Sequence, residues 1–253
     1  MTEAIVDIIV DYGKKAGWKY FELRSGKDLS EAWPCFGSYY GHSLELCRDP
    51  AAIFSGFKRT IRQNIRKAQK KDLQTHQCHD LVSVKEFYRL NCLTRKRHGL
   101  PPQPYNFFRK IFEYIISKKL GFVLLARYKQ APIAGGIFFH FGKNAIYKYN
   151  ALDKKYQHLR PSDLITWKAI EWYCEKGFDN LCFGRTDSEN EGLRRFKKGW
   201  GVEERIIKYY RYNFARQCFV KRSGSERSSS VIFRVMPVPV LKMIGSLLYK
   251  HIG

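Results

Sequence analysis

The run FGRTDSENEGLRRFKKGWG, from Phe183 to Gly201, combines the residue types best suited to chemistry in this chain. Gly184 allows the backbone to turn sharply after a short strand, and the polar residues Arg185 to Glu191 predict a loop. A lysine held beside an aromatic residue at such a place, here Lys197 beside Phe196, can stabilise negative charge on a carbonyl oxygen during acyl transfer. A solvated cluster of charges is the alternative.

Other common catalytic patterns are missing from the sequence. It contains no GxSxG, GxxxxGK[ST], GxGxxG or HxxxH run, which disfavours these enzyme classes and is compatible with a transferase that needs no covalent intermediate. Seven cysteines without a CxxC pair indicate reduced thiols. His76, Cys78 and His79 alternate along a short segment and point to opposite faces, so we predict no metal site.

The chain is strongly basic, with 46 Lys and Arg against 23 Asp and Glu among 253 residues, a net charge of +23. Such a charge indicates an anionic partner: nucleic acid, a phosphorylated carbohydrate or an acidic membrane face. The start MTEAIVDIIVDYGKK does not resemble a signal peptide, and charges and prolines interrupt the apolar stretch Val231 to Ile252. We therefore predict a cytoplasmic protein without a spanning helix.

The periodicity of apolar residues predicts an α+β protein whose elements hold this run in place. Helical spacing covers Glu3–Ala16, Phe54–Lys71, Ser83–His98, Tyr105–Lys118 and Pro161–Lys176. Strands are predicted for WKYFELRS, Tyr39–Cys47, FVLLARYK, APIAGGIFFHF, NAIYKYNAL, Asn180–Phe183 and ERIIKYYRYNF. The run from Phe183 thus lies between the last two strands.

The predicted helix Phe54–Lys71 has an apolar stripe and a neighbouring face of lysines and arginines, including Arg62 and Arg66, without an acidic residue. A face of this kind is typical of a docking surface for an anion. It does not say which anion binds.

Several segments in order resemble the Fem-type aminoacyltransferases, which build peptidoglycan bridges, and related proteins with a GNAT-like acetyltransferase domain found among polysaccharide genes. The segments are FKRTIRQNIRKAQKKDL, FYRLNCLTRKRHGLPPQPYNFF, NALDKKYQHLRPSDLITWKAIEWYCEKGFDNLCFGRTD, GLRRFKKGWG and the tail RVMPVPVLKMIGSLLYKHIG. The resemblance implies a GNAT-like fold and transfer of an acyl or aminoacyl group to an amine on an amino-sugar or peptide-bearing envelope precursor or polysaccharide.

The resemblance also implies roles for particular residues. Phe196 matches the aromatic that stacks on the terminal adenosine of the aminoacyl-tRNA donor, and Lys197 matches the lysine that stabilises charge near the reacting ester. Asp187 is a further catalytic candidate, as an organiser of the loop or an acceptor contact. The arginines expected to contact substrate are Arg185, Arg195, Arg62, Arg66 and Arg97.

The sequence departs from the family pattern in three places. The chain begins at what looks like the latter half of a first GNAT-like unit, so we expect a shortened front that a partner chain or dimer completes. The arginine and tyrosine with which the family binds a nucleotide-sugar diphosphate have no clear equivalents in this sequence. Gln103 and Phe107 are the nearest positions. The segment DKKYQHLRPSD has no glycine where an ordinary GNAT enzyme has a pyrophosphate loop.

We accordingly predict a partial unit at residues 1–48, a GNAT-like domain at 49–214, a linker at 215–230 and an amphipathic segment at 231–253. No cofactor is expected to be bound, and the donor is aminoacyl-tRNA or acyl-coenzyme A. The protein is expected at the inner membrane face if the tail contacts lipid. An acyl-coenzyme A-dependent N-acetyltransferase and a non-enzymatic binder of nucleic acid or an anionic surface are the alternatives.

Overall fold

The computed structural model describes residues 2–222 and 231–249, and these form two compact units. The large unit comprises Ser43–Gly184, Gly199–Val202 and residues 231–249, and the small unit comprises residues 2–42, Arg185–Lys198 and residues 203–222. The division falls inside two strands, β2 (Gly37–Glu45) and β7 (Asn180–Asp187). The domain boundaries predicted from the sequence stay predictions.

Helices and strands alternate along the described chain, which confirms the predicted α+β class. The helices are α1 (Thr2–Lys15), α2 (Pro50–Ser55), α3 (Arg59–Gln69), α4 (Leu81–Arg97), α5 (Tyr105–Ile111), α6 (Pro161–Glu175), α7 (Glu191–Lys198), α8 (Val231–Val235) and α9 (Val238–Leu248). The other strands are β1 (Tyr20–Ser25), β3 (Leu73–Cys78), β4 (Gly121–Tyr128), β5 (Ala131–Phe141), β6 (Asn144–Leu152), β8 (Glu203–Asn213) and β9 (Cys218–Val220).

The sheet of the large unit has the order β7-β6-β5-β4-β3, with helices on both faces. Neighbouring glycines in β5 show the two layers, because successive residues of a strand point to opposite faces. A Cβ at Gly135 would meet Phe87 of α4, whereas a Cβ at Gly136 would meet Ile165 of α6. Helices α4 and α6 therefore cover opposite faces of the sheet.

Strands β6 and β7 are parallel, and they pair only at their beginnings. The paired residues are Asn144–Ile146 of β6 and Asn180–Cys182 of β7. Beyond them, β6 continues to pair with β5 on its other side. Within the large unit, the carboxyl-terminal part of β6 therefore presents a strand edge beside β7, the usual place for a ligand in an open sheet.

The predicted helix Phe54–Lys71 is wrong as a single element. It is divided into α2 and α3, because Gly56 ends α2 by donating its N–H to the carbonyl of Ile53 at 3.1 Å. The N–H of Lys58 then bonds the carbonyl of Gly199 at 2.9 Å, which fixes the start of α3. The predicted apolar stripe survives, since Ile61, Ile65 and Ala68 are buried.

The sheet of the small unit has the order β1-β8-β2, and the short β9 pairs with β8. Its core contains Val6 of α1, Phe21 of β1 and Tyr212 of β8. The aromatic residues predicted in the last strand thus pack in a core.

The structure differs from the sequence prediction at four further places. The predicted loop at Arg185–Glu191 begins later, because β7 continues through Gly184 to Asp187. The predicted helix Tyr105–Lys118 changes to a π-helical turn at Phe112–Ile116. Strands β3 and β9 were not predicted, and β9 lies in the predicted linker. Residues 223–230 of that linker and 250–253 of the tail lie outside the described residues.

Candidate active site

Lys197 lies near the end of α7 and is buried, with 6% of its surface exposed. Its Nζ donates to the backbone carbonyl of Arg185 on β7 at 3.1 Å, which fixes the ammonium against the end of the strand. The turn between the two elements is held by Asn190, whose N–H donates to the carbonyl of Asp187 at 3.0 Å. Burying an ammonium costs free energy, so its position here favours a functional role.

Phe196 is half-buried on the same helix, next to Lys197. Arg195 is exposed and forms a long ion pair with Glu191, 3.8 Å between Nη2 and Oε2. The side chain of Arg195 therefore points to solvent, where a substrate can reach it. The structure thus places Phe196, Lys197 and Arg195 on one short helix.

Arg185 is placed by two tyrosines of the small unit. Its guanidinium lies 4.4 Å from the ring centroid of Tyr39 and 5.1 Å from that of Tyr209. Its Nη1 also donates to the hydroxyl of Tyr209. These contacts hold the arginine in one orientation on β7, and cation–π contacts of this kind leave the charge available to an anion.

His42 was not predicted, yet it lies at the centre of this group with 1% of its surface exposed. Its Nε2 is hydrogen-bonded to Thr186 Oγ1 at 3.1 Å, and its Nδ1 lies 3.8 Å from Glu204 Oε2. Burial and the nearby charge of Lys197 lower the pKa of His42 to about 4. The imidazole is therefore neutral at physiological pH and adds no charge beside Lys197.

Glu204 on β8 forms ion pairs with two cations of α7, Arg194 and Lys198. Arg194 donates to both of its carboxylate oxygens, from Nε at 2.8 Å and from Nη2 at 2.7 Å. Arg194 also lies 3.7 Å from the ring centroid of Tyr40, and Lys198 Nζ is 3.6 Å from Glu204 Oε1. The bonds from Arg194 lower the pKa of Glu204, so this carboxylate balances the charges on α7.

The predicted anion-binding arginines of the large unit lie on exposed or half-exposed positions. Arg62 and Arg66 are on α3, and no acidic residue stands in its first turn. Arg66 packs its guanidinium 5.7 Å from the ring centroid of Phe54. Arg97 ends α4, with Nη2 3.5 Å from His98 Nε2. The basic face of α3 is thus available, as the sequence predicted.

A buried carboxyl group lies in the large unit, at the first turn of α6. Asp163 is 6% exposed, and its Oδ1 has no hydrogen-bond partner among the described residues. Burial raises its pKa to about 6, opposed by the charge of Arg160 and by a hydrogen bond from Asn64. Burial likewise raises the pKa of Tyr147 on β6. Periodicity alone placed Asp163 as a helix-start residue and gave no reason to single it out.

Replacing Asp163 by asparagine is expected to stabilise the protein by about 3 kcal/mol at about pH 8, well above the folded-state pKa. The folded-state pKa, about 6, is above the ordinary 3.8, so the folded chain holds its proton longer as pH rises. The carboxyl group therefore costs stability at high pH and costs nothing below about pH 4. Urea unfolding of both proteins at about pH 8 and about pH 4 measures the difference.

The control for this substitution is Asp179→Asn, since Asp179 is an exposed carboxylate of the same unit. It should leave the free energy of unfolding unchanged at both pH values. A stability gain for Asp163→Asn that is equal at both pH values would contradict the ionisation argument.

The positions nearest to the family's nucleotide-sugar grip take part in packing. Gln103 Oε1 accepts a hydrogen bond from Asn91 Nδ2 at 3.3 Å, and Phe107 packs against the core of the large unit. Among the residues that the structure describes, no three His, Cys, Asp or Glu side chains are grouped closely enough to hold a metal ion. None of the described helices is long and apolar enough to cross a membrane.

The fold is that of a group-transfer enzyme, an acyltransferase. The model of the acetyltransferase (GNAT) domain matches residues 55–198, more than half of the chain, and the protein belongs to this family. No curated protein matches the chain.

Solved structures of low sequence identity share the fold. The crystal structure of FemX, a Fem-type protein, is 15% identical, with 81% of this chain and 75% of that chain covered and a TM-score of 0.65. L-PGS from Bacillus licheniformis is 13% identical, with 95% and 77% covered and a TM-score of 0.54. These likenesses confirm the resemblance to Fem-type and GNAT-like proteins that the sequence motifs indicated.

Proposed function

We propose that this acyltransferase moves an aminoacyl group from aminoacyl-tRNA to an amine on a cell-envelope precursor. The observation that carries the proposal is Lys197, a buried ammonium fixed to the carbonyl of Arg185 at the end of β7. A fixed positive charge is the device that stabilises an oxyanion during attack on an ester carbonyl.

The chemistry of the step needs no bound cofactor. The amine nitrogen attacks the ester carbonyl of the donor, the new C–N bond forms, and the C–O bond to the ribose breaks. The amine loses a proton and the ribose oxygen gains one. Lys197 would stabilise the negative charge on the carbonyl oxygen between these events, and Phe196 would stack on the terminal base of the donor.

Two features of the large unit favour tRNA over acyl-coenzyme A as donor. The connection between β6 and α6 is a 3-10 turn, Lys154–Leu159, and α6 then begins with Pro161, which has no N–H. This connection has no glycine with which to form a close backbone cradle for a pyrophosphate. The basic face of α3, by contrast, suits a long phosphate backbone.

Acyl-coenzyme A is the second candidate, and the short pairing of β6 and β7 favours it. The unpaired edge of β6 offers backbone groups to which an extended, amide-bearing ligand can hydrogen-bond. Incubation of the purified protein and an amine acceptor with labelled aminoacyl-tRNA or with labelled acyl-coenzyme A separates the two. We expect a labelled amide from the tRNA donor, and a labelled amide from coenzyme A alone would overturn the donor assignment.

The basic face gives a separate prediction on binding. Replacing Arg62 and Arg66 together by alanine should weaken tRNA binding and reduce the slope of log affinity against log salt by about 2, because two phosphate contacts are lost. Fluorescence anisotropy over a salt series measures this slope. The matched control is Arg109→Ala with Lys110→Ala, which removes equal charge from α5, where both residues pair with Glu113.

An unchanged slope in the α3 variant would contradict the assignment of this face to tRNA. An equal fall in the α5 variant would show that net charge alone determines the binding.

A further inference from the structure

The two last helices carry an exposed apolar surface, which we call the C-terminal apolar surface. It contains one group of residues from α8 and one from α9: Val231, Ile232, Val235, Val240, Met243, Leu247 and Leu248. Val235 is 77% exposed, and Met243 and Leu247 are each 61% exposed. Contiguous exposed apolar side chains on a folded protein mark an interaction site more often than single ones do.

Helix α9 is apolar on two opposite faces, and the other described residues of the unit cover only one of them. Leu241 and Gly245, one turn apart, form the buried face. Met243 and Leu247 are displaced from it by about half a turn, as helical spacing requires. A helix that is apolar on both sides needs a second partner or a membrane.

The covered face is fixed by close backbone packing. A Cβ added at Gly245 would lie 2.0 Å from the carbonyl oxygen of Pro102, so only glycine allows this approach. Lys242 lies with Nζ 5.2 Å from the ring centroid of Tyr88 on α4, which also holds the helix in this rotation. In this rotation of the helix, Met243 and Leu247 stay exposed.

Arg234 is exposed among the exposed apolar residues of α8, whereas Lys242 lies on the side of α9 that faces α4. Residues 231–249 contain no Asp or Glu. Arg234 lies near the end of α4, where burial and then the positive charges of Arg97, Arg95 and Arg234 lower the pKa of His98. An apolar face bordered by cations suits an anionic lipid surface, in which apolar side chains enter the interface and cations contact headgroups.

We propose that α8 and α9 dock this protein on anionic membranes by the C-terminal apolar surface. A second copy of the chain fits less well, because a symmetric contact would bring Arg234 of both copies together, and residues 231–249 hold no acidic partner for it. Docking of this kind would bring the enzyme to envelope precursors that are attached to lipid. Membrane docking does not depend on the proposed transfer reaction, and a binding experiment that needs no turnover can test it.

The test is co-sedimentation of the full chain with vesicles made of equal parts phosphatidylglycerol and phosphatidylcholine, and with vesicles of phosphatidylcholine alone. We expect binding to the first and at least about tenfold weaker binding to the second. The variant Val235→Ser, Met243→Ser, Leu247→Ser should bind anionic vesicles at least about tenfold more weakly, because three apolar side chains no longer enter the interface. Phe141→Ser is the control, since Phe141 is 82% exposed at the end of β5.

Failure of the wild-type chain to bind anionic vesicles overturns the proposal, as does equal loss of binding in the Phe141→Ser control. Sedimentation velocity adds a further contradicting outcome: a wild-type dimer that the triple variant converts to monomer assigns the surface to a second copy. Arg234→Glu, which keeps every apolar residue, should weaken binding to anionic vesicles only. Transfer to a soluble amine acceptor should continue in all these variants, so loss of docking and loss of catalysis are distinguishable.

Discussion

Replacing Lys197 by methionine is expected to lower the rate constant of the transfer step by about a hundred- to a thousandfold, the usual effect of removing one oxyanion-stabilising group. Methionine keeps an unbranched, flexible side chain in the buried position and removes the positive charge. Because the charge would act on the transition state, kcat should fall with little change in KM. Single-turnover transfer, with the enzyme in excess of aminoacyl-tRNA and at a concentration above KM, measures this rate constant.

The matched control is Lys198→Met, which removes the same charge from the next residue of α7. Lys198 is about half exposed and faces Glu204 rather than the carbonyl of Arg185. Its substitution should leave the transfer rate near that of the wild-type chain. A fall in rate that is equal in both variants would mean that the net charge of α7 matters, and Lys197 would lose its assigned role.

Acidification is expected to destabilise the small unit through His42. The folded-state pKa of about 4 lies below the ordinary 6.5, so the unfolded chain takes up the proton first as pH falls. The stability that the neutral imidazole contributes is complete above pH 6.5 and is lost toward pH 4, by about 3 kcal/mol in total. Urea unfolding at about pH 7.5 and about pH 4.5, followed by a probe in the small unit, measures the loss.

His42→Gln should remove most of this pH dependence, because glutamine keeps a polar partner for Thr186 and does not titrate. His158→Gln is the control, since His158 is an exposed histidine of the large unit. If the wild-type chain and His42→Gln lose the same stability between these pH values, then other groups cause the acid sensitivity. In that case His42 is not the neutral neighbour that keeps a further charge away from Lys197.

The elements with strong periodicity could be predicted from the sequence. Strands β4 to β6 contain long apolar runs separated by short turns, and α6 begins at a proline and ends before a glycine. These patterns depend on residues that are close in sequence. Strand β3, LQTHQC, is short and polar, so its composition does not indicate a strand. Its antiparallel pairing with β4 holds it in the extended conformation.

The parts that the sequence did not predict depend on contacts between distant residues. The break before α3 is fixed by the bond from Lys58 to Gly199, and β7 continues past Gly184 into a segment that reads as a loop. His42 is 144 residues from its partner Thr186, and no local spacing connects them. The only sequence feature at His42 is a polar residue inside an otherwise alternating strand, which is a weak indication.

The candidate site shows the same division. Phe196 and Lys197 were predicted from the resemblance and from their place after a short strand, and the structure places them on one helix. His42, whose pKa the charge of Lys197 lowers, lies on β2, and its partners Thr186 and Glu204 lie on β7 and β8. These contacts between distant strands had no signal in the sequence.

Formation of an amide from an ester-linked donor and an amine, with Lys197 stabilising the intermediate charge, can be measured by mass balance in a single turnover. The reaction contains aminoacyl-tRNA, an amine acceptor and the purified chain. We expect one new amide, detected by mass spectrometry, for each aminoacyl ester lost from tRNA, and a rate that falls with Lys197→Met. Loss of the ester to water without amide formation, or no turnover in the wild-type chain, would contradict it.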